Sequence, residues 1–370
     1  MPEIVLEDVC KSFDGHVAAD HLSLSINDGE YICILGPTGA GKTTCMRMIC
    51  GLTEPDSGSI YFDGEDITHK DVDLRNTTML SQSYSLFPHM NVYSNVMFAP
   101  MIKEWPEESA KQIVRSMLHM VHLEQKADWK PGELSGGQQQ RIALARALAS
   151  GSKVLLLDEP LRALDARLRI NLRKELRSLT KEMNLTCVHV THDQDEALEV
   201  ADRIAVIRKG RIIQYDTPRE VFENPATPFV ANFVGRSNII TGRVGARSGE
   251  FCEFITDSGV KFMSRCTDIP EGTEGVLTVK VGSTKVSHLV EDEVPENSYC
   301  TGTIARMLYE GVTVTVEVNV DGVGLISAKL PNRKYDDYRI GETVNVIWAP
   351  QKASVFRMPE CGLEEEMRLD

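Results

Sequence analysis

The sequence predicts an α/β fold with a largely parallel β-sheet, followed by a smaller β-rich domain. Over the first 235 residues, short continuous apolar runs alternate with helix-like segments. This pattern is typical of parallel strands that are covered by helices on both faces. After Gly235 the chain changes to short strands with glycine turns, which favours a small barrel or sandwich. We therefore expect one domain over residues 1–235 and a second over residues 236–370.

The composition is that of a globular protein with a sizeable core. The 370 residues are 42% apolar and 25% charged, and the formal net charge of −14 argues against a general nucleic-acid binder. No signal peptide is apparent, and no apolar run approaches the ~20 residues that a membrane-spanning helix needs. The nine cysteines form no C-x-x-C pair. We therefore expect a cytosolic protein with reduced thiols, whose role at a membrane is peripheral.

Three apolar runs predict buried strands in the first domain. They are Tyr31–Leu35, residues 154–157 and residues 186–190. Between about residues 88 and 150 the signal is helical, because apolar residues over 113–121 recur at helix spacing. This segment predicts a helical insertion between strands.

One segment of the second domain predicts a half-buried antiparallel strand. From Val312 to Val320, every second residue is a valine and the residues between them are polar. Such alternation places one face of a strand in the core and the other in solvent. Asp321-Gly322 then supplies a turn.

A glycine-rich segment follows the first apolar run and predicts a phosphate site. It matches the P-loop pattern G-x-x-x-x-G-K-[ST], in which glycines let backbone N–H groups turn inward around phosphates. We expect Lys42 to place its charge on the β- and γ-phosphates and Thr43 to offer its hydroxyl to Mg²⁺. The helix that follows, from Lys42 to about Cys50, aims its positive end at the anion. The predicted nucleotide-binding residues here are Gly36, Pro37, Thr38, Gly39, Ala40, Gly41, Lys42, Thr43 and Thr44.

An acidic pair, Asp158-Glu159, ends the second apolar run. The carboxyl ends of strands in an open α/β sheet border its ligand crevice. We expect Asp158 to hold Mg²⁺ through water and Glu159 to orient and deprotonate the attacking water. His192 follows the third run, where its spacing fits a helix-cap neighbour as well as a γ-phosphate contact. His189, inside that run, is interpreted as packing.

The segment Leu134-Ser135-Gly136-Gly137-Gln138 predicts a second anion site. Ser135 and Gln138 have the S-x-x-Q spacing of a capping box, which opens a helix. Gly136 and Gly137 leave bare backbone N–H groups at the positive end of that helix. An ordinary capped helix explains Ser135 and Gln138 but gives no reason for the two glycines.

This segment and the P-loop together resemble the ABC transporter ATPases, whose signature is Leu-Ser-Gly-Gly-Gln. The resemblance is strong over residues 1–235 and weak over the remainder. It implies a P-loop NTPase with a RecA-like core, a helical subdomain over about 88–150 and an OB-like C-terminal domain. It also implies roles for single residues. Phe13 stacks on adenine, and Gln82 is the Q-loop glutamine, with a catalytic and a metal-binding role. Asp158 and Glu159 are the Walker B pair, and Asp165 is the D-loop aspartate for communication across the dimer. His192 is the switch histidine, which is implied to be catalytic together with Lys42 and Glu159.

The same resemblance implies an assembly. In that family the signature residues of one subunit, here Ser135, Gly136, Gly137 and Gln138, bind ATP held by the partner's P-loop, so that a head-to-tail homodimer sandwiches two ATP molecules. Residues 85–96 and 210–235 resemble the importer subgroup that serves maltose-type sugars, polyamines, sulfate or ferric ion. The implied partners are separate permease subunits and, through them, a solute-binding protein. The implied location is the cytoplasmic face of the membrane.

Several points stay open at the level of the sequence. Phe87–Val96 either lies in or near the groove that receives a permease helix, or fills the core of the helical segment. Arg162 stands where relatives usually carry a small residue. Near the dimer seam it is expected to alter either the interface charge or the communication between sites, without abolishing hydrolysis. Lys280–Ser283 replaces an Arg-Pro-Glu segment of many relatives, so the role of the second domain is undecided, as is the solute. The rival function is a soluble ABC ATPase acting on nucleic acid or ribosomes.

Overall fold

The computed structural model describes residues 3–81, 85–162, 164–265, 268–288 and 299–369. The chain forms two compact units, of which the first ends at Pro218 and the second spans Arg219–Leu369. Within the described ranges, none of the helices combines the length and the apolar character that a bilayer crossing demands.

Strands and helices alternate along the first unit. Its strands are β1 (Ile4–Phe13), β2 (His16–Ile26), β3 (Tyr31–Leu35), β4 (Ser57–Phe62), β5 (Glu65–Asp66), β6 (Thr77–Leu80), β7 (Val154–Asp158), β8 (Thr186–Thr191), β9 (Arg203–Arg208) and β10 (Arg211–Asp216). Its helices are α1 (Lys42–Ile49), α2 (Val92–Ile102), α3 (Glu107–Met120), α4 (Gly136–Leu148), α5 (Ala166–Glu182) and α6 (Gln194–Val200).

The central sheet of this unit has the strand order β10-β9-β3-β8-β7-β6. Its strands are parallel, except that β10 pairs antiparallel with β9. The three predicted buried strands are β3, β8 and β7, which are neighbours in the sheet and are buried along their lengths. The predicted parallel α/β core is confirmed.

A second sheet, with the order β2-β1-β4-β5, is antiparallel. Its apolar residues join those of α1 and the central sheet in one core. This sheet was not predicted from the sequence. The reason is that the pairing of β1 with β2 shifts register at several points between Leu6 and Ser12, and such bulges break the alternation of apolar and polar residues.

Three helices form the predicted helical segment within residues 88–150. Helix α2 packs against α3 and α4, and α4 also packs against β6. The contacts bury Val92, Val96 and Val114 completely. Helix α3 carries Glu107 and Glu108 in its first turn, where acidic side chains complement the helix dipole.

The second unit is mainly antiparallel β-structure. Its strands are β11 (Ser237–Ser248), β12 (Phe251–Ile255), β13 (Lys261–Arg265), β14 (Glu274–Lys280), β15 (Lys285–Ser287), β16 (Tyr299–Tyr309), β17 (Thr313–Val320), β18 (Gly324–Pro331), β19 (Thr343–Ile347) and β20 (Ala353–Arg357). Its helices are α7 (Pro218–Glu223), α8 (Pro228–Phe233) and α9 (Leu363–Met367). Two sheets, β13-β12-β11-β14-β20 and β15-β19-β16-β17-β18, enclose a core that includes Phe254, Phe262 and Trp348.

The boundary between the units lies at Pro218–Arg219, whereas the sequence analysis expected one near residue 235. Helix α8 packs on β14, and Lys280 of β14 donates to the carbonyls of Ala231 and Val234 at the end of that helix. The compact β-rich unit therefore includes a short helical segment that precedes the change in sequence character.

The valine-rich strand is present as β17, with one correction at its start. Val312, predicted to lie on the buried face, is 81% exposed. Its N–H binds the carbonyl of Glu310 in the turn before β17, which begins at Thr313. Thr315, a polar residue of the alternation, is fully buried. Alternation therefore predicted the strand correctly but not its first residue.

Candidate functional site

Three parallel strands bring the predicted site residues to one edge of the central sheet. In the register of the sheet, Leu35 at the end of β3 pairs with Thr191 at the end of β8, and Asp158 at the end of β7 pairs with Val190. The P-loop, the acidic pair and His192 each follow one of these strand ends. The sheet thus positions residues that are far apart in sequence.

The bends of the P-loop are fixed by neighbouring backbone. A Cβ on Gly36 would lie 2.2 Å from the carbonyl oxygen of Ile207, and a Cβ on Gly41 would lie 2.0 Å from that of Ala18. Gly39 differs, because a Cβ there would find no atom within 4 Å, but its φ of +81° is one that L side chains rarely adopt. The fold of the chain itself therefore favours glycine at all three positions, through close backbone at Gly36 and Gly41 and through the backbone conformation at Gly39.

Lys42 is buried inside this loop. Its ammonium donates to the carbonyl oxygens of Gly36 at 2.8 Å and Pro37 at 2.6 Å. Burial lowers the pKa of Lys42, while Glu159 and Asp158 act in the opposite direction. The ammonium is thus held within the phosphate loop, close to two carboxylates.

Thr43 and Asp158 place two oxygen ligands of the kind that Mg²⁺ prefers next to each other. The Thr43 hydroxyl donates to Oδ2 of Asp158 at 3.2 Å, and Asp158 is buried. Burial raises the pKa of Asp158, and the Thr43 hydrogen bond opposes that rise. Mg²⁺ prefers hard oxygen ligands and usually keeps waters and substrate phosphates beside one or two carboxylates. In the described ranges no cluster of three or more His, Cys, Asp or Glu side chains offers a fuller cage.

Glu159 is held by two side chains. Its Oε2 accepts a hydrogen bond from Nη1 of Arg162 at 2.7 Å, and its Oε1 lies 3.1 Å from Nδ1 of His192. Burial would raise the pKa of Glu159, but the hydrogen bonds from Arg162 and His192 outweigh it, and the pKa is lowered. Its φ is +50°, an uncommon conformation for a residue other than glycine. The carboxylate is therefore ionised and fixed in place.

The two histidines of this region have different environments. His192 is exposed and contacts Glu159, as a residue at the mouth of a site would. His189 is fully buried, with Nδ1 2.9 Å from the hydroxyl of Tyr31, and burial lowers its pKa. This environment agrees with the interpretation of His189 as packing.

The predicted second anion site lies at the start of α4. The side chain of Gln138 accepts from the backbone N–H of Ser135 at 3.0 Å, which is one half of the predicted capping box. A Cβ on Gly136 would find no atom within 4 Å, so the fold of the single chain does not require glycine there. Helix α4 packs against α2, α3 and β6, whereas α1 of the P-loop packs against β8 and β2. The two predicted anion sites therefore lie on different parts of the unit.

Three further predicted residues have separate outcomes. Phe13 is exposed at the end of β1, with the ammonium of Lys11 5.4 Å from its ring centroid. Asp165 caps α5, where its carboxylate accepts from the N–H of Leu168 at 3.0 Å. Gln82 lies outside the described residues.

Two contacts of Glu159 were not anticipated. The pairing with Arg162 spans three residues across a turn, a spacing that was visible in the sequence. The second is the hydrogen bond from Nε2 of Gln140 to the carbonyl of Glu159 at 3.2 Å, which joins residues 19 positions apart and leaves no local signal in the sequence.

Comparisons with known proteins bear on the family of the chain. The profile of the ABC transporter family matches residues 19–162, and that of the TOBE domain matches residues 283–356. The spermidine/putrescine import ATP-binding protein PotA of Haemophilus influenzae is 40% identical over 354 residues, with 94% of each chain covered. The chain belongs to the ABC transporter ATPases.

Other relatives of this ABC ATPase give the same result. The protein of the same name from Aggregatibacter actinomycetemcomitans is 41% identical over 351 residues, again with 94% of each chain covered. The dimeric structure of MJ0796, a bacterial ABC transporter cassette, superposes with a TM-score of 0.54 at 32% identity, covering 58% of this chain and 99% of that one. The dimeric post-hydrolysis state of MJ0796, bound to ADP and Pi, matches with the same values.

These matches confirm the expected importer subgroup, ATP hydrolysis as its activity, and an OB-like second domain. The rival interpretation, a soluble ABC ATPase acting on nucleic acid or ribosomes, is not favoured, because the relatives are import ATP-binding proteins over nearly their full length.

Proposed function

We propose that two copies of this ABC ATPase pair head to tail around two ATP molecules and couple their closure to solute uptake through separate permease subunits. The observation that carries the proposal is the separation of two anion-binding features on one chain. The P-loop follows β3. Helix α4 packs against α2, α3 and β6 instead, and at its first residue, Gly136, an added Cβ would meet no atom within 4 Å. Pairing lets the α4 start of one copy reach a phosphate held by the other.

In this proposal each residue at the sheet edge has one task. Lys42 exchanges its two loop carbonyls for phosphate oxygens. Thr43 and Asp158 would hold Mg²⁺, which would supply positive charge against the phosphates. Glu159 orients the attacking water and accepts its proton, and His192 holds Glu159 and contacts the γ-phosphate. The lowered pKa of Glu159 keeps it ionised before the water arrives.

We propose that the permease docks in a groove between β6, α2 and α4. A cavity of about 260 Å³ lies there, bordered mainly by apolar side chains. Phe87 is half-buried at this cavity, 4.4 Å from the ring of Phe98 and beneath the guanidinium of Arg146 at 5.0 Å. Val92 is fully buried instead. The groove interpretation is thus supported at Phe87 and the core interpretation at Val92.

The names of the relatives suggest the solute class. Since the relatives described above are spermidine/putrescine import proteins, we propose a polyamine of that kind as the solute. Deleting the gene should abolish uptake of labelled spermidine or putrescine in the source cells, and the wild-type gene should restore it. Unchanged uptake of both would contradict the polyamine assignment alone. Docking on the permease would place the protein at the cytoplasmic face of the membrane, where it should co-purify with membrane proteins after mild detergent extraction.

Replacement of the proposed base tests the assembly. Glu159→Gln keeps the size of the side chain and removes its basicity, so ATP binding should persist while turnover falls by about a hundredfold or more. ATP should then accumulate dimers, which sedimentation velocity measures. Ser135→Arg should leave ATP binding by a single copy intact but prevent the dimer. Normal turnover in Glu159→Gln would remove Glu159 from its role, and an unaltered dimer in Ser135→Arg would refute the shared site.

A further inference from the structure

Arg162 contacts the carboxylate that we assign as the general base. It lies on the turn after the acidic pair, where its Nη1 is 2.7 Å from Oε2 of Glu159. The side chain of Glu159 is only 11% exposed, whereas that of Arg162 is 64% exposed. A solvent-facing cation therefore covers a nearly buried carboxylate.

This pairing leaves neither oxygen of the carboxylate without a partner. Oε2 binds Arg162, and Oε1 lies 3.1 Å from Nδ1 of His192. A carboxylate accepts a proton through lone pairs on these two oxygens, and a hydrogen bond from a charged donor is about twice as strong as a neutral one. A carboxylate held in this way must release one of these partners before it can accept a proton from water.

The other charges around Glu159 have roles of their own. Lys42 in α1 and Asp158 in β7 interact electrostatically with Glu159. Glu159 and Arg162 also border a cavity of about 70 Å³, which is lined in addition by Arg169, Asp193 and Glu196. The guanidinium of Arg169 lies 3.7 Å from Asp193 and donates to the carbonyl of Leu164. Within the described part of the chain, the ion pair recorded for Arg162 is the one with Glu159.

We propose that Arg162 is a positioning residue that restrains hydrolysis, because its ion pair holds Glu159 in a resting position until the guanidinium leaves Oε2. The inference rests on the proposed role of Glu159 as the base. It adds a positioning role at Glu159 to the effect at the dimer seam that the position of Arg162 in the sequence suggested.

Three substitutions at Arg162 should raise kcat to different extents, according to how much of the ion pair each one removes. Arg162→Met keeps the length of the side chain but removes its charge and donors. We expect kcat at pH 8 to rise by about two- to fivefold with KM for ATP unchanged, since pairs with an exposed partner are weak. Arg162→Lys keeps the charge without the planar fork, and Arg162→Gln keeps a donor without the charge. Both should lie between wild type and Arg162→Met.

The pH and salt dependence separate a restraint on the base from a structural role. Without Arg162, the effect of burial on Glu159 is opposed by fewer donors, so the acidic limb of the kcat profile should move to higher pH. An exposed ion pair is screened by salt. The ratio of kcat in Arg162→Met to kcat in wild type should therefore fall towards one as KCl increases.

Arg167→Met is the matched control. It removes an equally charged, exposed side chain from the first turn of α5 and should keep the wild-type kcat and pH profile. An Arg162→Met protein that behaves like this control, or that turns over more slowly than wild type, would overturn the inference. If Arg162→Met folds poorly, Arg162→Lys and Arg162→Gln carry the same comparison. Loss of turnover in Glu159→Gln without a gain in Arg162→Met rejects the restraint but leaves the base role standing, whereas normal turnover in Glu159→Gln rejects both.

Discussion

Adjacent carboxylates at the end of β7 have opposite electrostatic environments. Burial raises the pKa of Asp158, with only partial opposition from Thr43. At Glu159 burial acts in the same direction, but two hydrogen-bond donors, Arg162 and His192, reverse the outcome. In the proposed function Asp158 would bind a cation and Glu159 would accept a proton, although both side chains carry a carboxylate. The difference comes from their partners.

The raised pKa of Asp158 has a measurable effect on stability. Its folded pKa lies above the unfolded value of about 3.9, so at pH 7.5 the ionised side chain destabilises the fold. Below the unfolded pKa the group is protonated in both states and this cost disappears. Asp158→Asn should therefore raise Tm at pH 7.5 without nucleotide or Mg²⁺. The gain should shrink as the pH falls towards 4.

Thermal unfolding across this pH range checks the prediction, with Asp73→Asn as the control. Asp73 is exposed on a short 3₁₀ turn of the same unit, so its replacement should leave Tm nearly unchanged at every pH. A lower Tm in Asp158→Asn at pH 7.5 would mean that the carboxylate stabilises the fold of the nucleotide-free protein.

Local motifs predicted much of this site, because type and spacing alone determine their geometry. The members of each motif lie within a few residues of one another, as in the P-loop glycines, the Asp158-Glu159 pair and the capping pair of Ser135 with Gln138. The pairing of Arg162 with Glu159 was not predicted, although both residues had been noted. Sequence spacing across an irregular turn does not tell which way a side chain points.

Among the elements, the start of α4 has a glycine that the fold of the single chain does not require but the proposed function does. An ordinary helix start would tolerate alanine at position 136, because a Cβ there meets no atom of the chain within 4 Å. Glycine is also a poor helix former. Its presence at Gly136 is therefore explained better by something outside the single chain that approaches this backbone.

Gly136→Ala should accordingly weaken function without weakening the fold. We expect Tm of the nucleotide-free protein to stay equal or to rise slightly, while ATP turnover falls by about tenfold or more, since the added Cβ stands beside the N–H groups of the proposed anion site. Gly132→Ala is a matched control, because a Cβ there also meets no atom within 4 Å. It should keep full turnover. Equal turnover in both variants would contradict a phosphate contact at α4.

The elements differ in how far the sequence predicted them. Strands β3, β7 and β8 are continuous apolar runs. A short run of this kind favours a strand that is buried on both faces, which made these three elements predictable. The antiparallel sheet of β1, β2, β4 and β5 escaped prediction because register shifts interrupt its pattern. At β17 the alternation was visible, but the preceding turn carries Val312 out of the strand.

At the scale of the whole molecule, the proposal concerns an assembly that a single chain does not complete. Each copy offers one P-loop and one α4 start, and the closed site needs one of each from different copies. Turnover should therefore depend on the concentration of the protein as well as on that of ATP.

Specific activity should rise with protein concentration and then level off once pairs form. Assays over a hundredfold dilution series at saturating ATP measure this rise, and the ATP dependence should show a Hill coefficient approaching two. Ser135→Arg serves as the control, because it should stay at the low activity of the single copy at every concentration. Constant specific activity down to the greatest dilution would show that one chain hydrolyses ATP unaided.

The backbone contacts that shape the P-loop also bear on how ATP binding is driven. Because the carbonyl oxygens of Ile207 and Ala18 leave no room for side chains at Gly36 and Gly41, the loop is pre-organised before any ligand arrives. Binding then loses little backbone entropy, in contrast to a loop that orders around its ligand. The main rearrangement is the transfer of one ammonium, that of Lys42, from two carbonyls to phosphate oxygens. Calorimetry of a single copy should consequently show a small heat-capacity change, with a larger one appearing only when copies join.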